Sequence, residues 1–253
     1  MSLQVEIHGG GAKSASPPLL MIHGAGGSRL HWPPSIRRLA GSRVLAVDLP
    51  GHGRSPGPGE TSIEAYADRV LAWLEENEPE PVIPVGHSMG GAIALTLALQ
   101  EPERLAALVL VGSGARLRVA PAILEASAQP DTFPQAVEAI MQWAFSETAS
   151  ARLVELARRR MLEVDPAVLH DDFAACNAFD VMSRLESIAL PTLVLCGAQD
   201  QLTPPRYSEF LAEKIPEAKL VHIPQAGHML MLERPQAVAG ALQEFLARLP
   251  SRS

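Results

Sequence analysis

The sequence predicts an α/β fold: a mostly parallel sheet of about seven strands, helices on both faces, and a helical insertion near the middle of the chain. Three observations carry this. Short apolar runs recur along the 253 residues, most of them continuous rather than alternating, the pattern of strands buried on both faces. Helical patterns separate them, and strand and helix in alternation imply right-handed crossovers that lay helices on both sides of the sheet. From about Gly114 to Ser187 the alternation stops, and the chain is rich in Ala, Arg, Glu and Met without a convincing strand. This length suits one α/β domain with an insertion better than two independent domains.

Taken in order, the expected strands are Leu3 to His8, Leu19 to His23, Arg43 to Asp48, Val82 to Gly86, Ala106 to Val111, Thr192 to Cys196 and Lys219 to Ile223. Thr61 followed by Glu64 reads as a capping box. Ile63, Tyr66, Val70, Trp73 and Leu74 then follow at helical spacing, so this helix lays one face on the sheet. Gly90 to Leu99 reads as a helix behind the fourth strand. Pro204 after Thr203 marks another helix start, where proline's missing N–H costs nothing. Within the insertion, Ser150 to Val164 is the clearest helix, and Pro121, Pro130, Pro134 and Pro166 divide the rest into short pieces. The expected organisation is a core of residues 1–113 and 188–253 with a helical cap over 114–187, set where it can cover the carboxyl ends of the strands. No period typical of repeat architectures recurs.

Composition narrows the function. Apolar residues at 47% and charged residues at 19% are ordinary globular usage and exclude a disordered or fibrous chain. A net charge of -7 offers no basic footprint for phosphate backbones, so no nucleic-acid partner is expected. Cys176 and Cys196 form no CxxC and read as small buried hydrophobes in a reducing compartment. Met1 to Gly10 has no basic stretch followed by an apolar run, and the longest apolar stretch, Gly90 to Leu99, is far shorter than the roughly 20 residues a bilayer span needs. The expectation is a cytoplasmic protein without a membrane span. No HExxH, paired Cys/His cluster, EF-hand loop or phosphate loop is present in the sequence, so neither a metal nor another cofactor is expected.

Gly86-His87-Ser88-Met89-Gly90 stands between a strand and a helix. G-x-S-x-G in that setting describes a turn so sharp that Ser88 projects its hydroxyl from the top of the sheet, with glycines removing side chains that would collide with strand and helix. A serine hydroxyl needs a general base and a group that holds the base in one tautomer. Of eight histidines, His228 lies beyond the last strand, on the edge of the sheet where Ser88 emerges. His23 and His52 sit in glycine-rich turns, His87 is expected to point away from Ser88 by strand alternation, and His8, His31, His170 and His222 lack a suitable strand end. For the orienting acid, Asp200 follows a strand at the carboxyl edge. Asp48 competes, but it precedes the serine and leads into a glycine-containing turn. Position favours Asp200. The developing oxyanion needs donors: the N–H of Met89, and an N–H from His23-Gly24-Ala25-Gly26-Gly27, assigned to Ala25 with Gly26 as the alternate. Gly24, Gly26 and Met229 are expected to line the substrate pocket.

These residues in this order resemble the α/β-hydrolase superfamily along nearly the whole chain. The order Ser88, Asp200, His228 is that family's order, and the His23-Gly24 turn, the Asp48-to-Ser55 segment and the His228-to-Pro235 segment look like its landmarks. The resemblance implies a lid inserted after the sixth strand of the full family sheet, matching 114–187. Only one strand's worth of chain precedes Leu19 where the full sheet has two, so seven strands are expected. Gly86-His87-Ser88-Met89-Gly90-Gly91 is similar to carboxylesterases and monoacylglycerol lipases, whereas epoxide hydrolases and haloalkane dehalogenases carry aspartate at the elbow. Carbon-carbon hydrolases usually have Asn before the serine and Trp after the histidine; here His87 and Met229 stand there.

The expectation is therefore a cofactor-independent serine hydrolase taking a small-molecule carboxylic ester, with water as second substrate. A carbon-carbon hydrolase or lactonase of the same fold is the alternative, or a ligand receptor that keeps the triad without turnover. Arg158-Arg159-Arg160 reads as the solvated face of a cap helix. Leu153, Leu156 and Met161 recur near helical spacing, facing the core or an acyl pocket. The insertion is expected to choose the substrate while taking no part in bond breaking.

Overall fold

A computed structural model describes residues 3–9 and 16–249. Positions 1–2, 10–15 and 250–253, which fall within the expected core boundaries and the first-segment reading, lie outside the described residues. Seven strands form one sheet: β1 (Gln4–His8), β2 (Leu19–Ile22), β3 (Val44–Asp48), β4 (Ile83–His87), β5 (Leu108–Val111), β6 (Thr192–Gly197) and β7 (Lys219–Ile223). Their spatial order is β1, β3, β2, β4, β5, β6, β7. Every neighbouring pair is parallel except β1 against β3.

The helices are α1 (Pro34–Arg37), α2 (Ile63–Asn77), α3 (Met89–Gln100), α4 (Pro121–Ser127), α5 (Phe133–Ala144), α6 (Ala151–Leu162), α7 (Pro166–Ala178), α8 (Pro205–Lys214), α9 (Leu230–Glu233) and α10 (Pro235–Leu246). Among the described residues, none is long and apolar enough to cross a membrane.

The continuous apolar strands are explained by two separate cores. Leu20, Ile22, Leu45, Val47, Leu108 and Leu110 pack with α2 and α3 on one face. Leu19, Met21, Val44, Ala46, Val109 and Val111 pack with α1 and α10 on the other. Successive residues point to opposite faces and both faces of the inner strands are covered, so apolar side chains fill most of their positions. The sheet order reverses between β2 and β4, the place where open α/β sheets form a crevice at their carboxyl ends.

The expected insertion is helical: α4 to α7 occupy it, between β5 and β6. An isolated antiparallel bridge between Arg116 and Asp180, with Val181 N–H donating to Ala115 O, ties its two ends into a neck. Prolines begin its pieces as expected: Pro121 and Pro166 open α4 and α7, and Pro134 lies in the first turn of α5.

Two helix starts differ from expectation by one residue. Ser62, not Thr61, caps α2 by accepting the Ala65 N–H at 3.1 Å. Glu64 therefore falls too early to complete a capping box, though its charge still suits the helix N-terminus. In α8 the first helical residue is Pro205. Pro204 is extended (ψ 152°) because the following proline disfavours helical backbone before it.

Candidate active site

Ser88 follows β4 and caps α3 with φ 52° and ψ -116°, a left-handed backbone that costs a non-glycine residue energy. The neighbourhood leaves it no alternative. A Cβ on Gly86 would lie 2.1 Å from Gly90 O, on Gly90 2.3 Å from Ile22 O, and on Gly91 2.4 Å from Ser113 Oγ. Ser88 N–H donates to Val111 O at 3.0 Å, and Ser88 O accepts from Gly91 N–H and from Ser113 Oγ, both at 2.8 Å. Behind it, α3 is buried continuously from Met89 to Ala98.

Asp200, in the turn after β6, is buried and satisfied on both oxygens. Oδ1 accepts the N–H groups of Leu202 and Thr203, each at 2.9 Å. Oδ2 accepts the Thr203 hydroxyl at 2.8 Å and His228 Nδ1–H at 2.9 Å. That contact leaves the Nε2 lone pair of His228 as the ring's acceptor. The Thr203 hydroxyl also reaches Gly112 O (2.9 Å) and His228 Nδ1 (3.1 Å).

The His228 loop is pinned around this contact. Gly227 N–H donates to Glu233 Oε1 at 2.8 Å, Met229 N–H to Ala144 O at 3.1 Å, and His87 Nε2–H to His228 O at 3.0 Å. Ser88 and His228 line the same cavity and share no hydrogen bond.

Asp48, the competing acid, is committed elsewhere. It accepts the N–H groups of Arg29 (2.7 Å) and Arg54 (3.0 Å) and pairs with the Arg29 guanidinium. It braces the turn before Ser55.

The oxyanion candidates separate cleanly. The N–H of Gly26, the expected alternate donor and pocket residue, is instead taken by Asp172 Oδ2 at 2.8 Å, and Gly26 is not among the residues that line the cavity. Gly24, Ala25 and Met229 do line the cavity. Among the described residues, neither the Ala25 nor the Met89 N–H has an acceptor, which leaves both for a ligand.

His87 departs from expectation. Alternation does send it to the face of Ile83 and Val85, but at the carboxyl edge that face is where the 225–229 loop closes. Its ring therefore lies 4.7 Å from that of His228 and lines the cavity. Burial, with His228 and His31 nearby, holds it well below the ordinary histidine range. Burial likewise pulls His31 down to about 4. Both rings are neutral at pH 7.

The cavity holds about 270 Å³, just below the ~300–1,000 Å³ usual for small-molecule sites. Its outer wall is apolar and comes from the insertion: Ile123, Ile140, Met141, Trp143, Met161 and Phe173. Of the three α6 residues singled out, Met161 lines it, Leu153 packs in the core, and Leu156 is 54% exposed. Arg158, Arg159 and Arg160 pair with Glu155 and Glu163 at the surface, the solvated face expected.

Cys176 and Cys196 are free and buried; burial raises the first thiol strongly and the second to about 11, so neither is a thiolate nucleophile. Among the described residues, no three His, Cys, Asp or Glu side chains gather as metal ligands. The sequence reading missed Thr203 as a partner of the acid and histidine, and missed Glu233 and Asp172 as braces. Asp172 left one signal: it shares a helical stripe with Val168, Leu169, Ala175 and Cys176, a carboxylate on an apolar face.

The chain is similar to known proteins along most of its length. The model of the alpha/beta hydrolase family matches residues 19–241. A protein of Variovorax paradoxus provisionally named as the carbamate hydrolase RutD is 33% identical, over 98% of this chain and 97% of its own length. A pimeloyl-[acyl-carrier protein] methyl ester esterase of Neisseria meningitidis serogroup C is 31% identical, over 89% and 92%. A solved structure described as a thermophilic esterase is 37% identical with a TM-score of 0.82, over 92% of this chain and 91% of that one. The chain belongs to the alpha/beta hydrolase family.

Proposed function

We propose that this protein is a serine hydrolase that cleaves small-molecule carboxylic esters through an acyl-enzyme. One observation carries the reading: Ser88, held at φ 52° on its elbow, opens into the same cavity as His228, whose Nδ1 is bound by Asp200 at 2.9 Å. Relatives named as esterases support it.

Ser88 Oγ attacks the ester carbonyl carbon and its proton passes to His228 Nε2. Asp200 keeps Nδ1–H in place and stabilises the imidazolium. The carbonyl oxygen, now an anion, takes the N–H groups of Ala25 and Met89. Collapse breaks the carbon–oxygen bond of the ester, and the leaving alkoxide takes the proton from Nε2. Water repeats the sequence: its proton goes to His228, its oxygen to the acyl carbon, and the carboxylic acid leaves as Ser88 Oγ regains a proton.

The core is residues 1–113 and 188–253, with residues 114–187 as the cap whose apolar wall selects the acyl or alcohol group. The small, apolar cavity favours compact, uncharged substrates. Two buried free cysteines fit a reducing compartment, the cytoplasm.

The test is a fluorophosphonate probe with mass spectrometry, alongside turnover of esters, lactones, carbamates and vinylogous diketones. A single adduct on Ser88 and repeated ester hydrolysis are expected. Labelling elsewhere, or full esterase activity in Ser88→Ala, overturns the reading. One slow acylation without turnover favours a receptor.

A further inference from the structure

Asp172 is a fully buried carboxylate on α7, within the insertion, and its contacts all lie in the core. Oδ2 accepts Gly26 N–H and His52 Nε2–H, both at 2.8 Å, and Oδ1 accepts the Tyr66 hydroxyl at 2.6 Å. These three partners belong to the turn after β2, the turn after β3, and α2.

His52 donates at both ring nitrogens, because Nδ1 meets the Pro50 carbonyl at 2.8 Å. It is thus the cationic partner of a buried pair. Burial pulls its pKa down, but the Asp172 charge and hydrogen bonds to Asp172 and Pro50 lift it above the ordinary value. Packing independently seats α7 on the same loops. A Cβ on Gly26 would lie 2.7 Å from Leu169 Cδ1, and one on Gly51 2.9 Å from Val168 Cγ2. Gly26 and Gly51 also have positive φ, at 61° and 77°, so glycine is required there twice over.

We infer that Asp172 is the positioning residue of the oxyanion site: by holding the Gly26 N–H it fixes the 24–27 turn so that the Ala25 N–H faces the cavity beside that of Met89. The planar peptide that carries the Gly26 N–H is joined to the one that carries the Ala25 N–H through a single Cα, so a buried carboxylate that fixes the first restricts the direction of the second. Because Asp172 belongs to the insertion, the oxyanion site is complete only when α7 is seated. The insertion then does more than shape the pocket, although it supplies no group that touches the reacting atoms. The inference rests on the acyl-enzyme reading with Ala25 and Met89 as donors.

The test compares wild type with Asp172→Ala, Asp172→Asn and Tyr66→Phe. It uses an aryl ester for turnover and a trifluoromethyl ketone as the probe, whose hemiketal on Ser88 carries the anion. Removing one oxyanion donor costs about 10²–10³ in kcat. Asp172→Ala is expected to lose that factor in kcat, with KM within about threefold and with a matching loss of ketone affinity. Asp172→Asn can keep its carbonyl oxygen on Gly26 N–H and is expected to recover most of the loss. Tyr66→Phe removes a bond to the same carboxylate without touching Gly26 and should keep kcat near wild type.

A folded Asp172→Ala with wild-type kcat overturns the inference, as does a kcat loss in Tyr66→Phe equal to that of Asp172→Ala. Wild-type protein alone gives an independent readout that needs no variant to fold. In ¹⁵N–¹H spectra, formation of the ketone adduct should move the amide protons of Ala25 and Met89 downfield and leave that of Gly26 in place. A downfield move of Gly26 instead of Ala25 overturns it. Turnover surviving in Ser88→Ala refutes the acyl-enzyme reading itself, whereas an inactive Ser88→Ala beside a fully active Asp172→Ala refutes only the role of Asp172.

Discussion

Asp200→Asn should abolish most turnover without unfolding the site, and the geometry gives the reason. The two backbone donors, Leu202 and Thr203 N–H, both meet Oδ1 at 2.9 Å, so the single amide oxygen of asparagine is held there. Its NH₂ must then occupy the Oδ2 position, facing His228 Nδ1, where the wild-type carboxylate accepts at 2.9 Å. Two donors cannot face each other, so His228 switches to the tautomer with the proton on Nε2. That nitrogen no longer has the lone pair that must take the Ser88 proton. In the serine-protease template the same substitution costs ~10⁴ in kcat, about 5 kcal/mol at ~1.4 kcal/mol per decade. The assay is hydrolysis of p-nitrophenyl acetate, normalised to folded protein by circular dichroism. Asp48→Asn is the control. Breaking the buried Asp48–Arg29 pair should cost about 3–5 kcal/mol of stability and lower Tm, while the folded protein keeps its kcat. The reasoning is refuted if Asp200→Asn stays within about tenfold of wild type in kcat, or if the large kcat loss falls on Asp48→Asn.

Other outcomes follow from single contacts. Gly86→Ala forces a Cβ to 2.1 Å from Gly90 O, backbone against backbone, so Tm should fall by the equivalent of ~1–3 kcal/mol or more and Ser88 labelling should slow; wild-type Tm would contradict the elbow packing. Met161→Ala enlarges the cavity wall and should shift kcat/KM toward longer acyl esters by about 10–200-fold, leaving the small fluorophosphonate rate little changed; an unaltered acyl profile removes Met161 from the pocket. His23 and His87 are buried with pKa values well below the ordinary 6.5, desolvation being the main cause. The unfolded chain therefore takes up protons below about pH 6.5 that the native state refuses, and stability should fall with pH by up to ~1.4 kcal/mol per unit for each ring. His52, whose value is raised, works in the other direction; its contribution is complete below 6.5 and is lost only as pH rises through the raised value, so it does not offset the acid slope. Calorimetry from pH 7.5 to 5 checks this, and a flat Tm below 6.5 would mean those two rings charge in the folded state.

What could be read in the sequence was whatever sterics or burial impose locally. The five inner strands were visible because both faces of the sheet are covered there and each is buried throughout, whereas the edge strands β1 and β7 mix polar and apolar residues. The elbow was visible because glycines at fixed offsets are the only residues that fit, as the 2.1–2.4 Å approaches of Gly86, Gly90 and Gly91 make plain. Helix starts in α2 and α8 slipped by one residue because two adjacent residues could each serve: Thr61 or Ser62 as cap, Pro204 or Pro205 as first helical residue. The polar braces were hidden by distance along the chain. Thr203 meets Gly112 across 91 positions and Asp172 meets Gly26 across 146, and no local pattern encodes a partner so remote. His87 was misplaced because alternation fixes which face a side chain takes, and says nothing of what folds over that face.

Four buried carboxylates now account for the loops that carry the reactive atoms. Those loops lack regular structure, so their backbone N–H groups need acceptors. Asp48 supplies them at Arg29 and Arg54, Asp200 at Leu202 and Thr203, Glu233 at Gly227 and Ser146, and Asp172 at Gly26. Two of the four join the core to the insertion, in opposite senses: Glu233 follows β7 and holds Ser146 of the insertion, while Asp172 in the insertion holds Gly26 of the core. Hydrogen bonds to charged groups contribute roughly 1.5–3 kcal/mol each. Swinging the whole insertion away would break the Ser146 contact and all three made by Asp172. Any widening of the way to Ser88 therefore falls to α4, α5 or α6, while α7, which lines the cavity through Phe173 and Cys176, stays seated on the 24–27 turn.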